Sequence, residues 1–565
     1  MSADLVFING GVYNGKVDPK NWPTALAVTK ETISEVGDGA RDLIGKGTEV
    51  VDLADKMLIP GFYDAHVHPV TGGLMRSGKL CDLSNCDSQK NGIPVPREVY
   101  IDACVQEAAR FAVETARVPP GGWVQGFGWS LVPFGDALPH KKYLDENPVL
   151  RDRKVFLQEA SGHTAWVNQA ALDDVGPLIP STTTLENGVV CEPIGTLHEM
   201  AAGVVQGKIP PFSVGELASA LKEGQKYLHS LGIVGWLDAG LDVVKARSIT
   251  GEAYLFALQQ GKLTARVSGA LIWTPADKDP TIAARLLSEQ IGEFSYLKKQ
   301  LDRPQFRVNT AKIFLDGIVE SRTAALIDPY LDPTTGMPTD HHGDTHVPQE
   351  LLRQAVKGLL NAGLSVHVHA IGDQAVRDAL QSYMAAPDNK WHSAIAHLEL
   401  VAPEDRSGFQ KANVIACIQP LWATHEPQMD QQVKPLLGPV RTEQQYPFAS
   451  ILRTGARLAA GSDWPVSTPN PLEGIHVAVN RSYPPSSNPL GPDEALTLKQ
   501  ALDAYTVGAA YACGRNDAGV LAPGMRADLA VLDRNIFLRP ADEIARAHVN
   551  MTFVGGERVF EAATP

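Results

Sequence analysis

The side chains of this sequence that could do chemistry sit at the ends of apolar runs. "MLIPGFYDAHVHP" carries His66 and His68, and "NTAKIFLDG" carries Lys312. "LSVHVHAIGD" carries His367 and His369, "SAIAHLELV" carries His397, and "RLAAGSDWP" carries Asp463. Residues two apart on a strand point the same way, so His66 and His68 share a face. Imidazoles and a carboxylate converging on one point suit a borderline cation, Zn²⁺ above all, with Mn²⁺ and Fe²⁺ also matching such donors. Lys312 is the oddity, because an unpaired ammonium among Ala311, Ile313, Phe314 and Leu315 is costly to bury. Two readings stand open for it. One is a salt bridge, with Asp316 as partner. The other is a depressed pKa that lets the neutral amine take up CO₂ as an N-carboxylate, a group able to bridge two metals about 3.5–4 Å apart.

Something must carry these residues to one place. The apolar runs are eight: the five above together with "GIVGWLDAG", "RVSGALIW" and "NVIACIQP". From the second onward, amphipathic segments such as "AARLLSEQIGEFSYLKKQL" and "QELLRQAVKGLLNAG" separate most of them. Strand and helix alternating eight times predicts an α/β fold, a (β/α)8 TIM-like barrel, whose chemistry lies at the C-terminal strand ends. The first sixty residues and the last fifty both read as short strands with Gly turns. Together they predict a small β-sandwich from both termini, 1–58 plus 515–565, around a barrel at 59–514. After the first barrel strand comes a long insert, 70–212, far beyond the 2–6 residues of an ordinary βα connection. It has strand-like "GWVQGFGW" and "KVFLQEA" and helix-like "EVYIDACVQEAARFAVETA" and "HTAWVNQAAL", and we expect it to fold over the barrel mouth.

The totals bound the function. A length of 565 residues with 44% hydrophobic and 20% charged residues describes a globular protein large enough for a barrel and accessory parts. A net charge of −14 disfavours nucleic acid or an anionic membrane as partner. The N-terminal residues lack the pattern of a signal peptide, and there is no run of about 20 apolar residues to span a membrane. The six cysteines, Cys81, Cys86, Cys104, Cys191, Cys417 and Cys513, are scattered, and we expect free thiols in a reducing cytoplasm.

Taken in order, "PGFYDAHVHP", "AKIFLDG…ESRTAAL", "VHAIGD", "AHLEL", "IQP" and "GSDWPV" resemble the amidohydrolase superfamily, specifically its third family of YtcJ-like metal-dependent hydrolases. The closing "GVLAPGMRADLAVLD" and the insert's "GWVQGFGW" and "SGHTAWVNQAAL" extend the resemblance nearly end to end. It implies that His66 and His68 bind one metal, that His369 and His397 bind a second, and that carboxylated Lys312 bridges the two. Asp463 sits on the first metal and handles protons. His367 is no ligand in that pattern and packs behind one, and Asp64 orients a ligand. The resemblance places His163 over the site, where it contacts substrate; capping the helix expected to start there is the plainer alternative. Ser321 and Arg322 follow strand four and are weaker substrate-binding candidates, as are Trp129 and Trp422 among the aromatics near the expected mouth. Where related inserts have Trp-Asp, this chain has Trp129-Ser130.

The reaction expected is hydrolysis of a non-peptide C–N bond in a small molecule, an N-substituted amide or formamide, by attack of a metal-bound hydroxide. Deamination and ester, lactone or carbamate hydrolysis are alternatives on the same site. Barrel deaminases of the superfamily place a glutamate three residues after the fifth-strand histidine, whereas His369 here is followed by Ala-Ile-Gly and then Asp373. A regulatory or binding protein on a degenerate barrel is the non-enzyme alternative. A cytoplasmic homodimer completes the expectation.

Overall fold

The computed structural model describes residues 2–563 apart from 91–92, 115–117, 136, 177–193, 387–390 and 485. Eight parallel strands form one sheet: β1 (Phe62–Val67), β2 (Ile233–Leu241), β3 (Arg266–Trp273), β4 (Phe306–Phe314), β5 (Ser365–Ala370), β6 (Ala394–His397), β7 (Ile415–Ile418) and β8 (Leu458–Ala460). They neighbour one another in sequence order, and every position of β1, β5, β6, β7 and β8 is buried. Such double-sided burial is what a parallel sheet wrapped in helices demands of its strands. The two ends of the sheet meet through Asp463 N–H donating to His66 O (2.7 Å) and His68 N–H donating to Trp464 O (2.8 Å). All eight predicted runs supply a barrel strand.

The close approach of β8 to β1 requires Gly461. A methyl group there would fall 2.6 Å from the His66 nitrogen and 2.8 Å from its Cβ. The chain leaving His68 enters helix Pro69–Arg76, which packs on helix Val214–Ser230. At Gly73 a side chain would lie 2.0 Å from the Ala220 carbonyl oxygen. The longer helix starts on a reciprocal cap, Ser213 with Glu216, and buries Leu217, Leu221, Gly224 and Leu228 along one stripe. That contact anchors the loop carrying the paired histidines.

Both termini contribute to the sandwich. Gly11–Val12 and Met57–Pro60 join Leu529–Leu532, Val549–Val554 and Glu557–Glu561 in one sheet. The facing sheet holds Leu5–Ile8, Leu26–Thr29, Thr32–Val36 and Glu49–Asp52. The run "MLIPGFYDAHVHP" is therefore two strands divided at Gly61. Its first half alternates in strand fashion, with Leu58 in the sandwich core and Met57 and Ile59 in the barrel core. Buried Asp528 ties the two bodies together by accepting from Tyr63 Oη (3.0 Å) and Arg266 Nε (2.8 Å).

The insert has its own sheet, in which Trp123–Trp129 and Lys154–Glu159 pair in parallel and Thr164–Val167 returns antiparallel. Helix Arg97–Glu114 packs against it around Tyr100, Trp129 and Trp166. "HTAWVNQAAL" is not one helix, because Thr164, Trp166 and Val167 prefer a pleated strand. The helix begins at Gln169 behind Asn168, whose side chain accepts from Ala171 N–H. His163 thus precedes a strand and caps nothing. The five described cysteines are free thiols, and Cys191 lies outside the described residues.

Candidate metal centre

Sheet register decides which side chains meet. Lys312 of β4 stands opposite His367 of β5, Phe314 opposite His369, and Ala370 opposite His397 of β6. At the sheet's closure Asp64 accepts from both His66 N–H and Ser462 N–H at 3.0 Å, which holds β1 to the chain leaving β8. Burial pushes that carboxyl up to about 7. His66 Nδ1 lies 2.8 Å from His367 Nε2, so its Nε2 is the nitrogen presented to the centre. There it meets Lys312 Nζ at 3.2 Å and Asp463 Oδ1 at 3.5 Å. His68 Nε2 is 3.1 Å from the same carboxylate oxygen, and His397 Nδ1 is 3.9 Å from Asp463 Oδ2.

Two of these atoms have no hydrogen bond. His397 Nδ1 and Asp463 Oδ1 are buried and unpartnered, a state that costs free energy unless a further group satisfies them. Donor atoms of His66, His397 and Asp463 all lie within 4.8 Å of one another. Burial first, then neighbouring imidazoles and Lys312, holds His66, His369 and His397 well below the ordinary imidazole range. Neutral imidazoles are the ligating form. The donor set fits a divalent cation.

Lys312 is almost wholly enclosed, and burial pushes it down to about 8. The salt bridge to Asp316 does not form. Asp316 instead accepts from Ala325, Ile371 and Gly372 N–H at 2.9–3.0 Å. His369 is turned toward the same region: its Nε2 is 3.2 Å from Gly317 O and 3.6 Å from Asp316 Oδ1, while its ring lies 4.5 Å from that of His397. His66, His68, Lys312, His369, His397 and Asp463 line one cavity of about 1290 Å³.

The insert reaches this cavity. His163 lines it 5.2 Å, ring to ring, from His369. Its Nδ1 contacts both Glu199 oxygens at 3.0–3.1 Å, and Glu199 Oε1 also accepts from Thr323 Oγ1 at 2.9 Å. Burial works against the charge on each partner, but the pairing outweighs it, raising the His163 pKa and lowering that of Glu199. Sequence reasoning missed Glu199; the acidic residue in "TLHEM" carries no spacing signal of its own. Trp422 lines the cavity and stacks on His397, centroids 5.4 Å apart at 4°. Trp129 does not. It is buried inside the insert, donating from Nε1 to Leu157 O and meeting Trp166 edge-on, so it is a core residue there. Arg322 and Ser321 are also off the cavity wall: Arg322 is exposed, and Ser321 pairs with Thr323, behind Glu199. Asp373 is taken by Ile327 N–H (2.9 Å) and does not line the cavity.

A model of the Amidohydrolase family matches residues 49–560. The protein LONG AFTER FAR-RED 3 of Arabidopsis thaliana is 29% identical, over 99% of this chain and 92% of its own. An N-substituted formamide deformylase of Arthrobacter pascens is 26% identical, over 99% and 98% respectively. Among solved structures, an uncharacterised metal-dependent hydrolase from Pyrococcus horikoshii superposes with a TM-score of 0.71 at 23% identity. It covers 95% of this chain and 99% of its own, and shares the fold.

Proposed function

The chain belongs to the amidohydrolase family, and from that premise we propose that it hydrolyses a non-peptide C–N bond of a small molecule, an N-substituted amide or formamide. The observation that carries this reading is the pair of unpartnered buried atoms, His397 Nδ1 and Asp463 Oδ1, at the meeting point of four strand ends. In the proposal His66, His68 and Asp463 hold one Zn²⁺, and His369 and His397 hold a second. Lys312 would contribute as an N-carboxylate, formed when its neutral amine adds to CO₂ with loss of one proton. The cations supply polarisation of a carbonyl and acidification of water.

The protein's own groups do the rest. The Asp463 carboxylate accepts the proton released as water adds to the carbonyl and returns it to the departing nitrogen. Glu199 occupies Nδ1 of His163, leaving Nε2 to donate a hydrogen bond to the carbonyl oxygen as negative charge develops. Trp422 offers an apolar wall beside His397. Deamination finds less support, since Asp373, the acid nearest after His369, is occupied by backbone. The formamide deformylase relative supports an acyl-amine substrate. The net charge of −14 supports a small molecule over nucleic acid, and we propose a cytoplasmic homodimer.

The test is metal analysis of the purified protein together with turnover of a panel of N-alkylformamides and acetamides. Bound metal with chelator-sensitive release of amine is the expected result. A metal-free protein inert across the panel would favour a binding role and sink the proposal.

A further inference from the structure

We infer that the cavity contains a recognition site for an organic cation, an ammonium or guanidinium, gripped by Glu320, Glu399 and Glu426 beside Tyr446. That this cation is an arm of the substrate rests on the hydrolase reading above; the binding itself does not.

The three glutamates come from the catalytic ends of different strands. Glu320 lies in the loop after β4, Glu399 two residues beyond β6, and Glu426 in the loop after β7, and all three line the cavity. The other carboxylates on that wall are accounted for, Asp463 by the proposed metal centre. Glu199 meets His163, Asp430 meets His425 (2.8 Å), and Glu473 accepts from Tyr483 Oη (2.9 Å). For these three the partners are neutral or missing. Glu320 Oε1 accepts from Gln428 Nε2 (2.6 Å) and Glu399 Oε1 from Gln445 Nε2 (2.5 Å), while the Glu426 side chain has no hydrogen bond among the described residues. Among the described residues Lys312 is the only lysine lining the cavity, and no arginine lines it.

Tyr446 is the second, independent sign. It is 3% exposed and lines the cavity, yet its hydroxyl has no hydrogen-bond partner among the described residues. It lines the same cavity as all three glutamates. Its backbone N–H donates to Glu399 O at 2.9 Å, fixing it to the end of β6. Buried phenols normally find a partner; here the atoms on offer for a ligand are a phenol oxygen and carboxylate oxygens, acceptors suited to a multi-donor cation.

Like charges in a protein interior repel strongly because little solvent screens them. Glu399 is buried, Glu320 half-buried and Glu426 exposed, so the repulsion is greatest at Glu399. A cation relieves that repulsion. Spacing favours an organic one, since no three donor atoms of this group fall within 4.8 Å of one another among the described residues. A calcium or magnesium ion needs oxygens at about 2.0–2.6 Å from its centre, whereas an ammonium or guanidinium reaches separated acceptors through N–H bonds. The ring of Tyr446 adds a face on which a cation can rest.

The test uses the full-length, metal-loaded protein and calorimetric titration with n-butylammonium, n-butylguanidinium and n-butanol. The cations should bind at least about tenfold tighter than the alcohol, a gap of about 1.4 kcal/mol. Glu426→Gln and Glu320→Gln should each shrink that preference about fivefold, and Glu289→Gln, on the exposed side of a barrel helix, should not. Equal binding of all three probes, or a preference that survives both glutamine variants, overturns the inference. So does Ca²⁺ that competes with the organic cations at one-to-one stoichiometry. Comparing N-(4-aminobutyl)formamide with N-pentylformamide separates the two readings. Cation binding without hydrolysis of either leaves this site standing and the hydrolase reading fallen. Equal kcat/KM for both, without cation binding, does the reverse.

Discussion

Two regions of the barrel bury histidines, and they differ in one respect. At the base, His229 is 3% exposed, with Nδ1 2.8 Å from Ile233 O and Nε2 2.8 Å from Thr264 Oγ1. At the mouth, His397 is 2% exposed and its Nδ1 makes no hydrogen bond, nor does Asp463 Oδ1, which has the His68 and His66 imidazoles near it. Burial depresses the pKa of both. Burial and a shifted pKa therefore do not mark a ligand. What separates these two histidines is whether neighbouring protein atoms have used up the nitrogens.

Asp316 and Asp463 repeat the contrast among carboxylates. Three backbone N–H groups converge on Asp316, a posture that shapes the β4–β5 loops. Asp463 is left short of partners at the β1–β8 seam.

The largest effect that would break this comparison is on Asp463. Asp463→Asn should lower kcat by about 10³-fold or more while metal content stays near the native value; full activity in a steady-state assay would remove it from proton transfer. Next, chelation should lower the stability of the native protein, and with it Tm, by the linkage free energy of the bound ion, about 4 kcal/mol at a thousandfold excess over Kd. In His397→Ala that chelator-induced shift should largely vanish in a thermal melt. Lys312→Ala should reduce metal stoichiometry, measured by elemental analysis, and two metals with undiminished activity would refute a bridging role. Asp316→Ala should cost about 2–4 kcal/mol in chemical denaturation, because three buried N–H groups lose their acceptor; metal content per folded protein should change little.

The smallest effect sharpens the base of the barrel. His229 is pushed from 6.5 down to about 4 by burial. Between those values the unfolded chain takes up a proton that the folded one refuses. Its stabilising contribution is thus present above about pH 6.5 and lost as pH falls toward 4. His229→Gln should flatten the stability-against-pH slope in that window and leave metal affinity unchanged.

The barrel was legible in the sequence because its strands are short apolar runs with polar residues at one end, and because helices separate them. The division of "MLIPGFYDAHVHP" at Gly61 was not legible, since both halves are apolar and their separation depends on two different sheets. "HTAWV" was misread for a related reason: its strand character is completed only by pairing with Phe156, Leu157 and Gln158. His66, Lys312 and His397 stand out as candidates because their residue types are costly on buried strands without a purpose, and His68 and Asp463 because they follow closely on such strands. Trp129 was placed by size and neighbourhood alone, and packing inside the insert took it elsewhere.

What the sequence by itself determined is the set of candidate donors and the strand ends that present them, because alternation and apolar runs are local properties. Tertiary structure alone decided which candidate donors remain without hydrogen bonds, that Glu199 reaches His163, and that Glu320, Glu399 and Glu426 line one cavity with Tyr446. Those facts depend on distances between segments far apart in the chain, and hydrogen-bond satisfaction is settled only when such segments meet.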